Sequence, residues 1–283
     1  MFSGCEIEDA RWDFGIRFMA MLTTGSNCKI YYEYHGSGDP LLLISGTGHD
    51  HTFWAGQLSL LSRYYRCIVF DNRGVGNSSS PQSGYSLADM ADDAAAILIE
   101  AGIGNAHVMG FSMGGHIAQC LALNYPDLVR SLGIHHSWSR NCERLRKFQS
   151  VRKDLAERGM RNQLADMSLL MLYEPQYYED HSVLIAAKRE QMIASMDTLE
   201  GWIGQLNACI TGDTHARLGE LNVPTLITCS DKDAIVAIHR ARELHANIQN
   251  SELKILTGSG HVALIEKPAL FAEICADFLG RQR

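Results

Sequence analysis

A serine lies between two glycines in the run Gly110-Phe111-Ser112-Met113-Gly114. The run follows an apolar strand pattern and precedes a helical one, which is the context that a G-x-S-x-G nucleophile motif requires. Glycines keep side chains away from so tight a turn, and the serine hydroxyl is then exposed above the N-terminus of the next helix. The spacing therefore predicts that Ser112 is a nucleophile for acyl chemistry.

A serine hydroxyl is a weak nucleophile at neutral pH, so Ser112 needs a base beside it. The sequence contains 12 histidines, and His261 differs from the others in its position. It lies in Gly258-Ser259-Gly260-His261, a loop after the last predicted strand. Such a loop opens at the sheet edge where Ser112 is expected, and we therefore predict that His261 is the general base.

The partner of that base should be a carboxylate that lies between the serine and the histidine in chain order. Asp231 and Asp233 both follow a predicted strand at 225–229. The loop after the preceding strand has no acidic residue before Glu143, which argues against an acid from that loop. Asp233 is the favoured candidate, and Asp231 is the alternative. If Asp233 is the acid, we expect Asp231 to cap or brace the loop.

Acyl transfer also needs hydrogen-bond donors for a developing oxyanion. One is expected from the backbone N–H of Met113, the residue after the serine. The other is expected from the loop Ser45-Gly46-Thr47-Gly48, which follows an early strand and whose glycines allow a close approach of substrate. We predict that the N–H of Thr47 is this second donor.

The run His49-Asp50-His51 raises the question of a metal site. Two histidines at i and i+2 without a further cluster of ligands nearby are poor zinc ligands, and the sequence predicts no metal. A helix N-cap at Asp50 or Thr52 is the better interpretation. The chemistry predicted for Ser112 needs no cofactor, and none is expected.

The glycine-rich loop 71–78, Asp71-Asn72-Arg73-Gly74-Val75-Gly76-Asn77-Ser78, also follows a predicted strand. It matches neither of the phosphate-binding patterns G-x-x-x-x-G-K-[ST] and G-x-G-x-x-G. We interpret it as a structural loop in which Asp71 and Arg73 brace neighbouring turns.

Strands and helices must bring these residues to one edge of a sheet. Continuously apolar runs are typical of parallel strands that are covered on both faces; they lie at 41–44, 67–70, 107–110, 132–134, 225–228 and 253–256. Residues 29–34 alternate instead and predict an antiparallel edge strand. Helical patterns separate the runs, at 53–63, 86–102, 114–125, 236–248 and 268–280. This alternation predicts an α/β fold with a doubly wound, mostly parallel sheet.

Residues 138–218 contain no strand pattern and predict an all-helical cap, because the chain returns to the same sheet on both sides. The core then comprises 21–137 and 219–283, and residues 1–20 are an N-terminal extension that we expect to be poorly ordered. The cap should cover a partly hydrophobic pocket, for which the candidate lining residues are Gly46, Trp138, Met171, Tyr173 and Val262.

The amino-acid composition limits the kinds of partner that the protein is expected to bind. The formal charge of −7 gives no electrostatic reason to bind nucleic acid or an anionic membrane surface, and no apolar run is long enough to span a membrane. The eight cysteines form no C-x-x-C pair, and the N-terminus lacks the basic region of a signal peptide. The sequence therefore predicts a cytoplasmic protein that acts on a small molecule; a homodimer stays open.

Taken together, these motifs resemble the α/β-hydrolase superfamily. The resemblance extends from about Lys29 to Leu279 and rests on the early strand with Ser45-Gly46-Thr47, the pattern D-x-R-G-x-G-x-S at 71–78, the run around Ser112, Asp233 and His261. It implies the α/β-hydrolase fold with a helical cap after the sixth strand. Among capped members, 3-oxoadipate enol-lactonases and aminoacrylate hydrolases are the most similar. Many relatives have histidine where this chain has Ser45 and Phe111, and the first change alters how the oxyanion loop is held.

The expected activity is hydrolysis of a small carboxylic ester, lactone or related acyl bond through an acyl-enzyme. The same triad could instead pass the acyl group to another acceptor, cleave a carbon–carbon bond or form a peracid. A ligand-binding protein without catalysis is a further alternative, which the intact triad argues against.

Overall fold

A computed structural model describes residues 16–196 and 199–282. Its eight strands form one sheet: β1 (Ile16–Thr23), β2 (Lys29–His35), β3 (Asp39–Ile44), β4 (Tyr65–Phe70), β5 (Ala106–Phe111), β6 (Val129–His135), β7 (Thr225–Ser230) and β8 (Ser251–Leu256). Strands β5 and β7 are buried along their whole length, as their unbroken apolar sequences predict.

The strand order is β1-β2-β4-β3-β5-β6-β7-β8. Strands β1 and β2 are antiparallel to their neighbours, and every pair from β4 to β8 is parallel. The predicted doubly wound, mostly parallel sheet is confirmed. Because parallel strands all end at the same sheet edge, the loops after β3, β5, β7 and β8 meet there.

The described residues form eleven α-helices that flank the sheet or form the cap: α1 (Ala55–Leu61), α2 (Leu87–Glu100), α3 (Met113–Asn124), α4 (Glu143–Glu157), α5 (Arg161–Leu172), α6 (Pro175–Asp180), α7 (Ser182–Ala194), α8 (Leu199–Thr211), α9 (Ile238–Asn247), α10 (Ala263–Glu266) and α11 (Pro268–Gly280). The flanking helices α1, α2, α3, α9 and α11 lie where the helical patterns predict them, whereas the short helix α10 was not predicted. Helix α2, for example, begins with a capping box between Ser86 and Asp89.

Five helices, α4 to α8, lie between β6 and β7 and form the cap that the sequence predicts after the sixth strand. Helix α4 has a buried face at a helical spacing, made of Leu145, Gln149, Arg152 and Ala156. Two of these four residues, Gln149 and Arg152, have polar side chains, so this face is unusually polar for a buried surface.

The N-terminal part of the chain differs from the prediction. Residues 16–20, which the sequence assigns to a poorly ordered extension, belong to β1 and pair with β2. The remainder of that predicted extension, 1–15, lies outside the described residues. Strand β2 is antiparallel as expected but is not an edge strand, because β1 covers its free side.

Candidate active site

Ser112 occupies the sharp turn between β5 and α3. Its backbone is left-handed, with φ 56° and ψ −117°, a strained conformation for a residue with a side chain. A Cβ atom at Gly110 would lie 2.1 Å from the carbonyl oxygen of Gly114, and one at Gly114 would lie 2.2 Å from that of Ile44. Only glycine therefore fits on either side of the serine, and both glycines of the motif are required by packing.

The loops after β7 and β8 bring Asp233 and His261 to this turn. The Nε2 atom of His261 lies 3.0 Å from Oγ of Ser112, and its Nδ1 atom lies 2.7 Å from Oδ2 of Asp233. The other carboxylate oxygen, Oδ1, accepts the N–H groups of Ile235 and Val236 at 2.8 Å each. The three residues predicted from sequence thus form one continuous hydrogen-bonded chain.

The charge of Asp233 decides which atoms of that chain carry protons. Burial alone would raise the pKa of the carboxyl group, but the electrostatic and hydrogen-bonding effects of His261 outweigh burial and hold the pKa below its ordinary value. An ionised carboxylate only accepts hydrogen bonds, so Nδ1 of His261 must donate to it. The Nε2 atom is then an acceptor, and the hydroxyl of Ser112 donates to it.

Asp231, the alternative acid, has another partner. Its Oδ1 atom accepts the N–H of Gly258 at 2.6 Å and so joins the loop after β7 to the loop after β8. Asp231 therefore braces the loop, which is the role that the sequence analysis gave it as the alternative, whereas Asp233 contacts His261.

The two predicted oxyanion donors flank the serine. Thr47 and Ser112 line the same small cavity, and Met113 is the first residue of α3. Within the described parts of the chain, neither backbone N–H has a protein acceptor. The hydroxyl of Thr47 lies 3.3 Å from Sγ of Cys209 on α8, so a cap helix contacts the loop.

Helix α8 also holds the residue after Thr47. The side chain of Gln205 accepts the N–H of Gly48 at 2.8 Å through Oε1 and donates to the carbonyl of Arg73 at 2.9 Å through Nε2. Gln205 is fully buried. The loop at Thr47 is thus held by an amide from the cap.

A second connection joins the cap to the loop of His261. The carbonyl of Leu172, the last residue of α5, accepts the N–H groups of His261 and Val262 at 2.8 and 3.2 Å. The carboxylate of Glu266 accepts the N–H of Gly260 at 2.8 Å and that of Glu174 at 3.0 Å. Cap and core are therefore hydrogen-bonded directly beside the imidazole.

Two cavities lie at the serine and beneath the cap. A small cavity of about 20 Å³ is lined by Gly46, Thr47, Ser112 and His261, together with cap residues of α4 and α5. A larger, mainly apolar cavity of about 420 Å³ is lined by Tyr173 and Val262 among others. Both have His49 and Leu172 in their walls. The larger cavity has the size of a typical small-molecule site.

Two of the five predicted pocket residues line neither cavity. Trp138 is fully buried and packs edge-on against the ring of His116 at 5.6 Å, so it is a core residue. On α5, Leu169 and Leu172 line the larger cavity instead of Met171. Residues three apart share a helix face, whereas Met171 is rotated by about 100° from Leu172. The sequence does not determine the helical phase of the cap, and this is why Met171 rather than Leu169 or Leu172 was expected in the cavity wall.

The small cavity contains a residue that the sequence analysis missed. Arg152 of α4 lines it beside Ser112 and is 7% exposed. Phe148, Gln149 and Ser168 line the same cavity. The available signal was periodicity, since Arg152 occupies the inward stripe of α4 at i+7 from Leu145, where an apolar residue is expected.

Neutral histidines surround the triad. Burial lowers the pKa of His136 to about 3, although the nearby Asp233 carboxylate opposes that fall. Its ring centre lies 6.0 Å from that of His261, and its Nε2 lies 2.8 Å from Oγ of Ser230. Burial, aided by Arg152, lowers the pKa of His49 to about 4. Both rings therefore add no positive charge at neutral pH.

The acidic residues of the runs 49–51 and 71–78 accept hydrogen bonds from backbone N–H groups. Asp50 caps the turn His51–Trp54 by accepting the N–H of Thr52 at 2.9 Å. Asp71 accepts the N–H of His51 at 2.7 Å and that of Asn77 at 2.8 Å. Asp50, His51 and Asp71 bring one ligand atom each within 4.8 Å of one another, but both carboxylates already accept backbone donors.

Arg73 braces its surroundings as the sequence predicts. Its guanidinium forms two hydrogen bonds to the carboxylate of Asp93, at 2.6 and 2.7 Å, and also donates to the carbonyl of Gly84. Both side chains are buried, and the pair joins the loop after β4 to helix α2.

None of the described helices is both long enough and apolar enough to cross a membrane.

Comparison with known proteins agrees with this architecture. A putative carbamate hydrolase RutD from Azorhizobium caulinodans is 30% identical over 256 residues, covering 90% of this chain and 97% of that protein. A hydrolase from Pseudomonas aeruginosa PA01 superposes with a TM-score of 0.86 at 25% identity, covering 93% of this chain and 98% of that chain.

The enol-lactonase from Burkholderia xenovorans LB400 also superposes with a TM-score of 0.86, at 23% identity and over 92% of this chain and 100% of that chain, which supports the fold. The family described as alpha/beta hydrolase fold matches residues 39–268. With its strand order, its cap after β6 and its serine turn, the chain belongs to the α/β-hydrolase family of enzymes.

Proposed function

We propose that this protein is a serine hydrolase that cleaves a small carboxylic ester, lactone or related acyl bond through an acyl-enzyme. The observation that carries the proposal is the hydrogen-bonded chain from Ser112 through His261 to Asp233, with spacings of 3.0 and 2.7 Å. A relative whose name describes a putative carbamate hydrolase agrees with cleavage of an acyl bond.

In the first half of the reaction, Oγ of Ser112 attacks the carbonyl carbon of the substrate while its proton moves to Nε2 of His261. The imidazolium that forms lies against the ionised Asp233, whose lowered pKa keeps the carboxylate negative at neutral pH. The N–H groups of Thr47 and Met113 donate to the oxyanion. Collapse of the tetrahedral intermediate expels the leaving group, which takes the proton from His261.

In the second half, His261 removes a proton from water, and the resulting hydroxide attacks the acyl-enzyme. The same two N–H groups stabilise the second oxyanion. The acid product leaves, and the proton returns from His261 to Oγ of Ser112. The larger cavity beside Val262 and Tyr173 offers room for the part of the substrate that does not react.

Substitution of the nucleophile tests this proposal. We expect Ser112→Ala to lower kcat for p-nitrophenyl acetate by roughly 10³-fold or more, because no other hydroxyl replaces Oγ. A fluorophosphonate should label the wild-type chain at Ser112 and should not label the variant. Hydrolysis by Ser112→Ala at the wild-type rate would refute the assignment of the nucleophile.

Transfer to another acceptor is tested separately. We expect the free acid to be the main product from an ester substrate when methanol or an amine competes with water for the acyl-enzyme. An ester or amide product in excess of the acid would instead identify an acyltransferase that uses the same residues.

A further inference from the structure

Arg152 is a buried cation in the wall of the reaction cavity. It comes from cap helix α4, is 7% exposed and lines the same cavity of about 20 Å³ as Ser112 and His261. Nothing in the proposed reaction of the triad uses it. Burying a guanidinium in a small cavity carries a large desolvation cost, which calls for a compensating anion.

In the part of the chain that the structure describes, no carboxylate compensates the charge of Arg152. The Arg152 side chain donates a hydrogen bond to a neutral acceptor, Oε1 of Gln149 at 3.2 Å, and within residues 16–196 and 199–282 its buried Nε has no partner. None of the residues that line the cavity is acidic. Burial lowers the pKa of Arg152 to about 10, and among the described residues only the thiol of Cys209 opposes that fall.

Two other cations of this chain, the buried Arg73 and the half-buried Lys188, have a carboxylate nearby. Arg73 forms two hydrogen bonds to the carboxylate of Asp93. Lys188, in the wall of the larger cavity, is close enough to Asp50 for that carboxylate to oppose the effect of burial on its pKa. Of these three cations, only Arg152 has no carboxylate nearby among the described residues, and it lines the cavity that contains Ser112.

Aromatic rings hold the guanidinium in place. Its central carbon lies 5.4 Å from the ring centre of Phe148 and 5.5 Å from that of Trp202. Such cation–π contacts engage the faces of the planar group and leave its N–H edges for hydrogen bonds in the plane. The N–H edge of an arginine matches the two oxygens of a carboxylate.

We infer that the substrate carries a carboxylate that binds Arg152 while its acyl carbon lies at Ser112. This inference rests on the proposed function and specifies its substrate class. Because one small cavity contains both groups, the carboxylate must lie within a few bonds of the scissile carbonyl. Short acidic esters, lactones or carbamates are therefore the expected substrates, and neutral long-chain esters are not.

Matched pairs of esters test the inference. Monoethyl succinate is compared with its neutral isostere ethyl succinamate, and O-acetylglycolate with O-acetylglycolamide, so that the charge is placed in the acyl part or in the leaving group. We expect the wild type to have a kcat/KM at least tenfold higher for the acid in one pair. In Arg152→Met that preference should fall about 30-fold, the effect of one hydrogen bond between charged groups.

Two variants serve as comparisons. Arg152→Lys keeps the charge and should keep part of the preference. Arg146→Met removes an exposed arginine from the same helix and should keep all of it. Thermal unfolding of each variant shows whether it is folded. If Arg152→Met is not folded, the preference of the wild type for the acid and that of Arg152→Lys test the inference instead. Where turnover is too slow, the same compounds are compared by how far they slow fluorophosphonate labelling of Ser112.

The inference is overturned if the wild type favours the amide in both pairs, or if Arg152→Met has the same preference for the acid as Arg146→Met. Such a result leaves the proposed function intact as long as the fluorophosphonate labels Ser112. Absence of both labelling and hydrolysis would instead refute the proposed function itself.

Discussion

The carbonyl oxygen of Leu172 accepts the backbone N–H of His261 at 2.8 Å. Leu172 ends a cap helix, and His261 lies in the loop that follows the last strand, so this bond connects the cap to the loop of the imidazole. A Cβ atom at the adjacent Gly260 would lie 2.8 Å from the same carbonyl, which explains a glycine there. The position of the imidazole thus depends on the cap as well as on the sheet.

Glu266 extends that connection, and its substitution should reduce catalysis. Its two oxygens each accept one backbone N–H, from Gly260 and from Glu174. In Glu266→Gln the amide nitrogen faces one of these donors, so one bond is lost. We expect kcat for a p-nitrophenyl ester to fall roughly tenfold with a smaller change in KM, because the loop of His261 is less well positioned.

The matched control is Glu273→Gln, which alters an exposed glutamate on α11 and should leave kcat unchanged. Rates of fluorophosphonate labelling give an independent measure of the reactivity of Ser112. Equal labelling rates in wild type and Glu266→Gln would show that the two hydrogen bonds of Glu266 do not position His261.

Substitution of Asp233 and of Asp231 should reduce kcat to very different extents. Asp233→Asn removes the negative charge beside His261 and allows the imidazole to adopt the wrong tautomer, so kcat should fall by about 10³- to 10⁴-fold. Asp231→Asn alters only the contact to Gly258 and should cost less than tenfold. Steady-state kinetics of both variants provide the comparison, and a larger loss in Asp231→Asn would reverse the assignment.

Buried neutral histidines should make stability depend on pH. Burial lowers the pKa of His135 to about 3, whereas in the unfolded chain it is about 6.5. The unfolded chain therefore binds the proton first, and the free energy of unfolding falls as pH falls from about 6.5 toward 3. At pH 5 this amounts to about 2 kcal/mol for one histidine.

Urea unfolding at pH 7.5 and pH 5 measures this effect. The difference in unfolding free energy between the two pH values should be smaller by about 2 kcal/mol in His135→Gln than in the wild type. His239→Gln, at an exposed position on α9, should keep the wild-type difference. If His135→Gln also keeps it, His135 is not the group responsible.

Local patterns were sufficient for most of the fold and for the residues around Ser112. Apolar runs and helical periodicity arise from contacts that repeat every two to four residues, so they indicated the central strands and flanking helices. The serine turn and the loop of His261 are short motifs at strand ends. Strand β1 escaped notice because it is largely exposed at the sheet edge, where Phe18, Met19 and Met21 are about half exposed, and burial does not impose a pattern there.

Only the tertiary structure showed that Asp233, and not Asp231, contacts His261, and which residues the cap places in the cavity walls. Both aspartates follow β7, and the choice depends on how that loop packs against residues 258–261, nearly 30 positions later. The positions of Met171 and Arg152 depend on which face of each cap helix meets the sheet, and that of Trp138 depends on how the loop after β6 packs against His116. A sequence states the order of residues along a helix, but long-range packing determines which of them face the serine.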